Sequence, residues 1–147
     1  MKKWIALAAI LLLEAVGLFF LRAPQWRTRA VGYARGESFH RGMPTHYWLD
    51  NMSSTNANMR YESILALDRE KVAIPALSQR LDDEIPLLRQ MAALALGRLG
   101  ADAKEAVPAL TKMMKDDADP SSRRAAEDAL KNIDPSQLPK ATPQGVQ

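Results

Sequence analysis

Ile74-Pro75-Ala76-Leu77 returns, 33 residues further on, as Val107-Pro108-Ala109-Leu110. The segment ahead of each copy carries a pattern of its own. Arg60, Ser63, Ala66 and Leu67 align with Arg89, Ala92, Ala95 and Leu96, and again with Arg123, Ala126, Ala129 and Leu130. A repeat of this period is the signature of stacked helical units, each burying its apolar face only against its neighbours.

Written as helix pairs, the first unit has Met59, Ile64 and Leu67 on a helix from Asn58, with small Ser63 and Ala66 between them and Asn56 or Asn58 as its N-cap. Its second helix, Val72 to Leu81, sets Ile74, Leu77 and Leu81 at i, i+3 and i+7. The second unit repeats this with Met91, Leu94, Leu96 and Leu99, a turn at Gly100-Ala101-Asp102, then Val107, Leu110 and Met114. Pro75 and Pro108 each fall in the first turn of a second helix, where the missing N–H has no intrahelical partner anyway. Pro120 to Ile133 forms a third first-helix, and no second helix follows Asp134-Pro135. Asp82-Asp83 and Asp116-Asp117 hold matching places ahead of Pro86 and Pro120. Paired carboxylates can ligate hard cations, but recurrence between units predicts inter-repeat turn and helix-cap residues.

The alternation of an Arg-bearing, Ala/Leu-packed helix ending Leu96-Gly97-Arg98-Leu99-Gly100 with Ala106-Val107-Pro108-Ala109-Leu110 resembles the HEAT repeat, in the short form named from bilin (phycobilisome) lyase subunits. The resemblance covers Met59 to Pro135. It departs in the first unit, where Leu67 to Pro75 is eight positions and Leu96 to Pro108 is twelve, so the first inter-helix turn must be tighter. It implies an all-α solenoid with a protein-binding or scaffold role; it does not imply lyase activity, since there is no catalytic motif to transfer. It also implies that second helices line the binding side. Their non-core positions align between units as Ser78 with Thr111, Gln79 with Lys112, and Asp82 with Lys115, and these six are the candidate partner-binding residues.

Outward from the repeats, Thr45 is positioned to cap a short helix reaching about Met52, with Tyr47, Trp48, Leu49 and Met52 on its apolar side. Such a helix can cover the exposed end of the first repeat, which makes residues 44–135 one domain. Residues 23–43 show neither helical nor strand period and read as a linker, and residues 136–147, nearly free of apolar side chains, as a disordered tail.

At the start, Lys2 and Lys3 precede an apolar run from Trp4 to Leu21 whose only charge is Glu14. At the helical rise it spans about 27 Å, enough for a bilayer core. Bulky Phe19-Phe20-Leu21 and Arg22 stand where a cleavage site needs small residues, so residues 1–22 read as an uncleaved signal anchor or transmembrane helix. Lys2, Lys3, Trp4, Arg22, Trp26, Arg27 and Arg29 then occupy the two membrane interfaces. The short positive head favours a cytoplasmic N-terminus and an extracytoplasmic repeat domain, whereas the positive-inside count over Arg22, Arg27, Arg29 and Arg35 favours the reverse.

Composition narrows the function. The first 43 residues hold seven Lys/Arg against two acids and the remainder thirteen against fifteen, so the net charge of +3 describes no basic face on the repeats and argues against nucleic acid. With no cysteine there is no thiol nucleophile or thiolate metal site. His40 and His46, the two histidines, lack a second ligand at metal spacing, and no cofactor motif is present. The expectation is a membrane-anchored scaffold that binds a protein partner and is not an enzyme. The alternatives are an accessory subunit held in a larger membrane complex through Glu14, and a regulatory or lyase-like subunit of an enzyme.

Overall fold

A computed structural model of the chain describes residues 14–18 and 23–138, which fall into two compact units, Met1–Tyr47 and Trp48–Gln147. Apart from one hairpin of two-residue strands, the regular elements are helical. The fold class is all-α.

In the first unit, residues 14–18 are helical, and helix α1, Pro24–Ala34, follows with Pro at its start. The expected linker is thus a helix, missed because it carries no amphipathic stripe: Gly32 is its one buried residue. A Cβ on Gly32 would come within 2.3 Å of the Pro44 Cβ and 3.1 Å of Phe39, so this close approach admits only glycine. Strands β1, Phe39–His40, and β2, Met43–Pro44, pair antiparallel. The two residues between them, Arg41 at φ 50 and Gly42 at φ 77, supply the paired positive φ of a tight hairpin turn. Tyr33 stacks on Phe39 with ring centroids 4.4 Å apart.

Helix α2, Thr45–Asn51, follows directly, and Thr45 does not cap it as the sequence suggested. Its hydroxyl donates to the Ser38 carbonyl at 3.0 Å, and the carboxylate of Glu37 takes the capping role by accepting the His46 backbone N–H at 2.9 Å.

The second unit holds the repeats. Trp48 and Met52 are buried at its start, as the apolar side of a covering helix should be. The first pair is α3, Ala57–Ala66, and α4, Ile74–Arg80; the second is α5, Pro86–Leu99, and α6, Val107–Asp116; the third first-helix is α7, Pro120–Ile133. Asn56 caps α3, its side chain accepting the Asn58 N–H. Proline opens α4, α5, α6 and α7, where its fixed φ suits the first turn. The connections inside the pairs differ as the eight-against-twelve spacing requires: a three-residue 3₁₀ turn, Lys71–Ala73, in the first unit and a seven-residue 3₁₀ stretch, Gly100–Ala106, in the second. Gly100, at φ 57, ends α5 in a conformation that side chains rarely adopt.

The core runs through Ile64, Leu67, Leu77, Leu96, Leu110 and Leu130, all fully buried. Around them the buried positions of α5 and α7, two helices in broad contact, include many small residues: Ala92, Ala93, Ala95 and Gly97 on α5, and Ala125, Ala126 and Ala129 on α7. A Cβ on Gly97 would sit 3.0 Å from the Ala129 Cα, so the backbones meet almost without side chains between them. Two expected core positions move. Leu94 is 39% exposed, displaced by the alanines beside it, and Met113 is buried where Met114 was expected. The short 3₁₀ turn Pro135–Gln137 closes the described chain, held by Asp134, which accepts the Ser136 N–H at 3.1 Å and the Ser136 hydroxyl at 2.6 Å. The tail expected from 136 lies otherwise in 139–147, outside the described residues.

Truncating Leu96 or Leu110 to Ala removes a fully buried side chain and is expected to cost about 2 to 5 kcal/mol in chemical denaturation. Gly97→Leu, which forces a side chain into the α5–α7 seam, is expected to lower stability by about 1 to 3 kcal/mol or more. The same change at exposed Arg98 should leave the denaturation midpoint close to that of the parent protein.

Candidate functional site

Each first helix of the repeat unit opens with the same local device. Ahead of α3, Ser54 Oγ accepts the Asn56 N–H at 3.2 Å; ahead of α5, Asp83 Oδ1 accepts the Ile85 N–H at 3.1 Å; ahead of α7, Asp117 Oδ1 accepts the Asp119 N–H at 2.9 Å. Short oxygen-bearing side chains make such turns because they reach the N–H two residues on. One helical turn in, an arginine folds back onto this lead-in turn. Arg60 Nη1 donates to Ser54 O at 2.9 Å, Arg89 Nη1 to Asp83 O at 2.9 Å, and Arg123 Nη1 to Asp117 O at 2.7 Å.

The far side of the same guanidinium grips the next unit. Arg60 donates from Nε and Nη2 to the two carboxylate oxygens of Asp83 at 2.9 and 3.0 Å, and Arg89 does the same to Asp117 at 2.7 Å for both. The side chains of Arg60 and Asp83 are only 6% and 1% exposed. Burial pushes the Asp83 carboxyl up, but the hydrogen bonds from Arg60 and from the Ile85 N–H, with the charges of Arg60 and Arg80, more than offset it and hold the pKa below the usual aspartate value. At Asp117 the Arg89 hydrogen bond leads, and the direction is the same. Arg60 and Arg89 are raised in turn by those bonds. Forked pairs of this kind fix geometry as well as charge.

The second helices carry the expected binding residues, and the structure brings some of them together. Lys112 Nζ lies 3.6 Å from Asp82 Oδ1, joining the second helix of one unit to the end of the preceding one, with both side chains well exposed. Beside them is a cavity of about 260 Å³ whose lining includes Leu81, Asp82, Lys112, Met113 and the Arg89–Asp117 fork. A second, also of about 260 Å³, is lined by Arg60, Gln79, Arg80 and Asp82. Ser78 and Thr111 are half-buried: the Ser78 hydroxyl donates back to Ile74 O at 2.8 Å, while the buried Thr111 hydroxyl has no partner among the described residues. Lys115 is exposed and makes no ion pair among the described residues. The surface is polar and ionic, suited to recognition through charge and hydrogen bonds.

A family model for HEAT repeats matches residues 46–131. The chain belongs to the HEAT-repeat family. No match to a curated protein was found. In this HEAT-repeat chain the paired acids divide their work: Asp83 and Asp117 are the buried turn and fork residues, while Asp82 and Asp116 remain exposed. Among the described residues no group of three His, Cys, Asp or Glu is arranged to hold a metal ion.

The arginines were aligned in the sequence without a role, because their partners lie 23 and 28 residues away and spacing alone does not pair them. Glu37 was missed altogether. Its Oε2 accepts the His46 backbone N–H and sits 2.8 Å from His46 Nδ1, which lowers the Glu37 pKa and fixes the imidazole. Of the expected membrane-interface residues, Lys2, Lys3, Trp4 and Arg22 lie outside the described residues. Arg29 stacks over Trp26 at 5.3 Å, and Arg27 lines a cavity of about 320 Å³ with Pro24, Thr28, Val31 and His46.

Two outcomes follow from the forks. The folded-state pKa values of Asp83 and Asp117 are lowered, so the stability they contribute is present above the ordinary aspartate value of about 4 and lost as pH falls through it toward the folded-state values. Denaturation midpoints measured from neutral pH downward should therefore drop below about pH 4, and less steeply in Asp83→Asn. Asp83→Ala leaves the buried Arg60 guanidinium without its carboxylate and is expected to cost about 3 to 5 kcal/mol, against near zero for Asp82→Ala.

Proposed function

We propose that this HEAT-repeat chain is a membrane-anchored scaffold that binds a protein partner along its second helices and performs no catalysis of its own. The observation that carries the reading is the Lys112–Asp82 contact, from one second helix to the end of the preceding one, beside an open cavity of mixed polar and apolar lining. Repeat units of this kind gain affinity by presenting equivalent side chains from neighbouring units to one extended partner. The face lacks Trp, Tyr and unpaired Arg anchors of the kind that dominate tight interfaces, so the interaction is of modest affinity or multivalent.

Anchoring is supported by the apolar run from Trp4 to Leu21 between Lys2-Lys3 and Arg22. Among the described residues no helix is long and apolar enough to cross a membrane, and most of that run lies outside them. Trp26 with Arg29 over its ring, and Arg27 beside them, offers a mixed aromatic and cationic surface of the sort that suits lipid headgroups. The repeats then lie on the extracytoplasmic side. A second reading, an accessory subunit held through its membrane helix, is favoured by Glu14, a carboxylate on the helical stretch 14–18. An acid at mid-bilayer costs roughly 2.5 to 3.5 kcal/mol on insertion scales and calls for a partner helix.

Affinity capture from detergent-solubilised membranes, with the tag on the C-terminal residues, tests partner and anchoring together. Changing Gln79, Thr111 and Lys112 together to Glu is expected to leave the helical circular dichroism intact and to weaken capture. Loss of capture on reversing Arg22, Arg27 and Arg29 instead would assign the interaction to the membrane-proximal segment, and loss with Glu14→Leu alone would favour the accessory-subunit reading. Recovery of the chain in the soluble fraction after cell lysis would overturn anchoring.

A further inference from the structure

We propose that the third arginine of the series, Arg123, is the open end of the fork system and docks an aspartate held in a lead-in turn at the start of a helix on a partner protein. The inference rests on the protein-binding reading above but concerns a different surface.

Arg123 is held as the first two arginines are. Its Nη1 donates to Asp117 O at 2.7 Å and to Ala118 O at 3.3 Å, matching Arg60 on Ser54 and Thr55 and Arg89 on Asp83 and Glu84. In Arg60 and Arg89 this backward bond leaves Nε and Nη2 aimed at the next unit, where an aspartate completes the fork. Among the described residues no carboxylate completes it for Arg123.

The acids nearest on the same helix are engaged elsewhere. Lys131 Nζ lies 2.9 Å from Glu127 and 3.0 Å from Asp128. Arg124, adjacent and exposed, makes no ion pair among the described residues either. Both arginines line a cavity of about 550 Å³ together with Met114, Pro120, Lys131 and the two acids that Lys131 engages, Glu127 and Asp128. Residues 139–147 contain no Asp or Glu, so none of them brings a carboxylate side chain to it.

The occupant is specified by the two filled copies. In each, the carboxylate is locked by accepting the N–H two residues on, just before a proline-initiated helix, so both oxygens face the guanidinium. A carboxylate pre-set in this way meets a fork already held by the protein, and little ordering remains to be done on association. A freely rotating acid or a spherical anion gains only charge attraction.

The test uses the full chain in detergent and, as probe, a synthetic peptide with the sequence of residues 115–133, which carries the Asp117 turn and its helix. Binding is read by calorimetry and by the arginine Nε–H resonances. The expected result is millimolar or tighter binding that shifts Arg123 and falls on the order of tenfold with Arg123→Lys, which keeps the charge and loses the fork. The same loss is expected when the peptide's Asp117 is replaced by Asn, a change that leaves the protein untouched. No binding at millimolar peptide, or equal binding by the Asn peptide or by a scrambled peptide of equal charge, overturns the proposal. The Gln79, Thr111 and Lys112 triple-Glu protein should bind the peptide normally, so failure of the second-helix reading and failure of this one are separately visible.

Discussion

The forked arginine–aspartate bond between successive units is the constraint on which the repeat domain depends. Apolar burial brings helices together without fixing how far one slides along the next, and the seam between α5 and α7, lined by Ala and Gly, has few large side chains to interlock. A guanidinium tied at Nη1 to its own turn and at Nε and Nη2 to the following one leaves no freedom of register. Burying such charges brings little net stability. What it secures is that each unit can stack on its neighbour in one way.

Small residues at the helix contact and forks at the helix starts are two halves of one solution. Gly97 against Ala129 lets α5 and α7 approach until backbone nearly meets backbone. At that separation the Asp117 turn lies within reach of Arg89, and a larger side chain at the seam would move the carboxylate away from the fork. The aspartate itself serves both purposes, shaping the turn through Oδ1 and anchoring the previous unit through both oxygens.

Much of this was legible in the sequence, and the exceptions have physical causes. The Ile-Pro-Ala-Leu and Val-Pro-Ala-Leu copies revealed the repeat because a proline at a helix start and a leucine two residues on are both strongly position-dependent. The shorter first connection followed from counting between Leu67 and Pro75. Leu94 is exposed while the alanines around it are buried, and alanine gives almost no hydropathy contrast by which a sequence can mark it as the inner residue. Helix α1 went unseen because its contact is a glycine, which in a helix interior argues against the helix at all. For the six second-helix residues, alignment marks equivalent positions in the two units, and the contact between units, Asp82 with Lys112, joins positions that are not equivalent, so alignment alone could not name it. The forks themselves needed three dimensions, since arginine and aspartate are too common for a separation of 23 or 28 residues to stand out.

The two ends of α5 are joined to their neighbours by bonds of different kinds. Near its start Arg89 is enclosed with Asp117, while near its end Arg98 meets Asp68 at 2.7 Å, and in the adjoining connections Lys71 meets Asp102 at 2.8 Å, through single contacts between side chains that are more exposed to water. Dissolved ions screen the second set far more than the first. The stack is therefore bound like a book, with a spine along the helix starts that salt leaves closed and a fore-edge along the connections that ionic strength can loosen. A partner pulling the units apart would part them along that edge first, fanning them about the arginines.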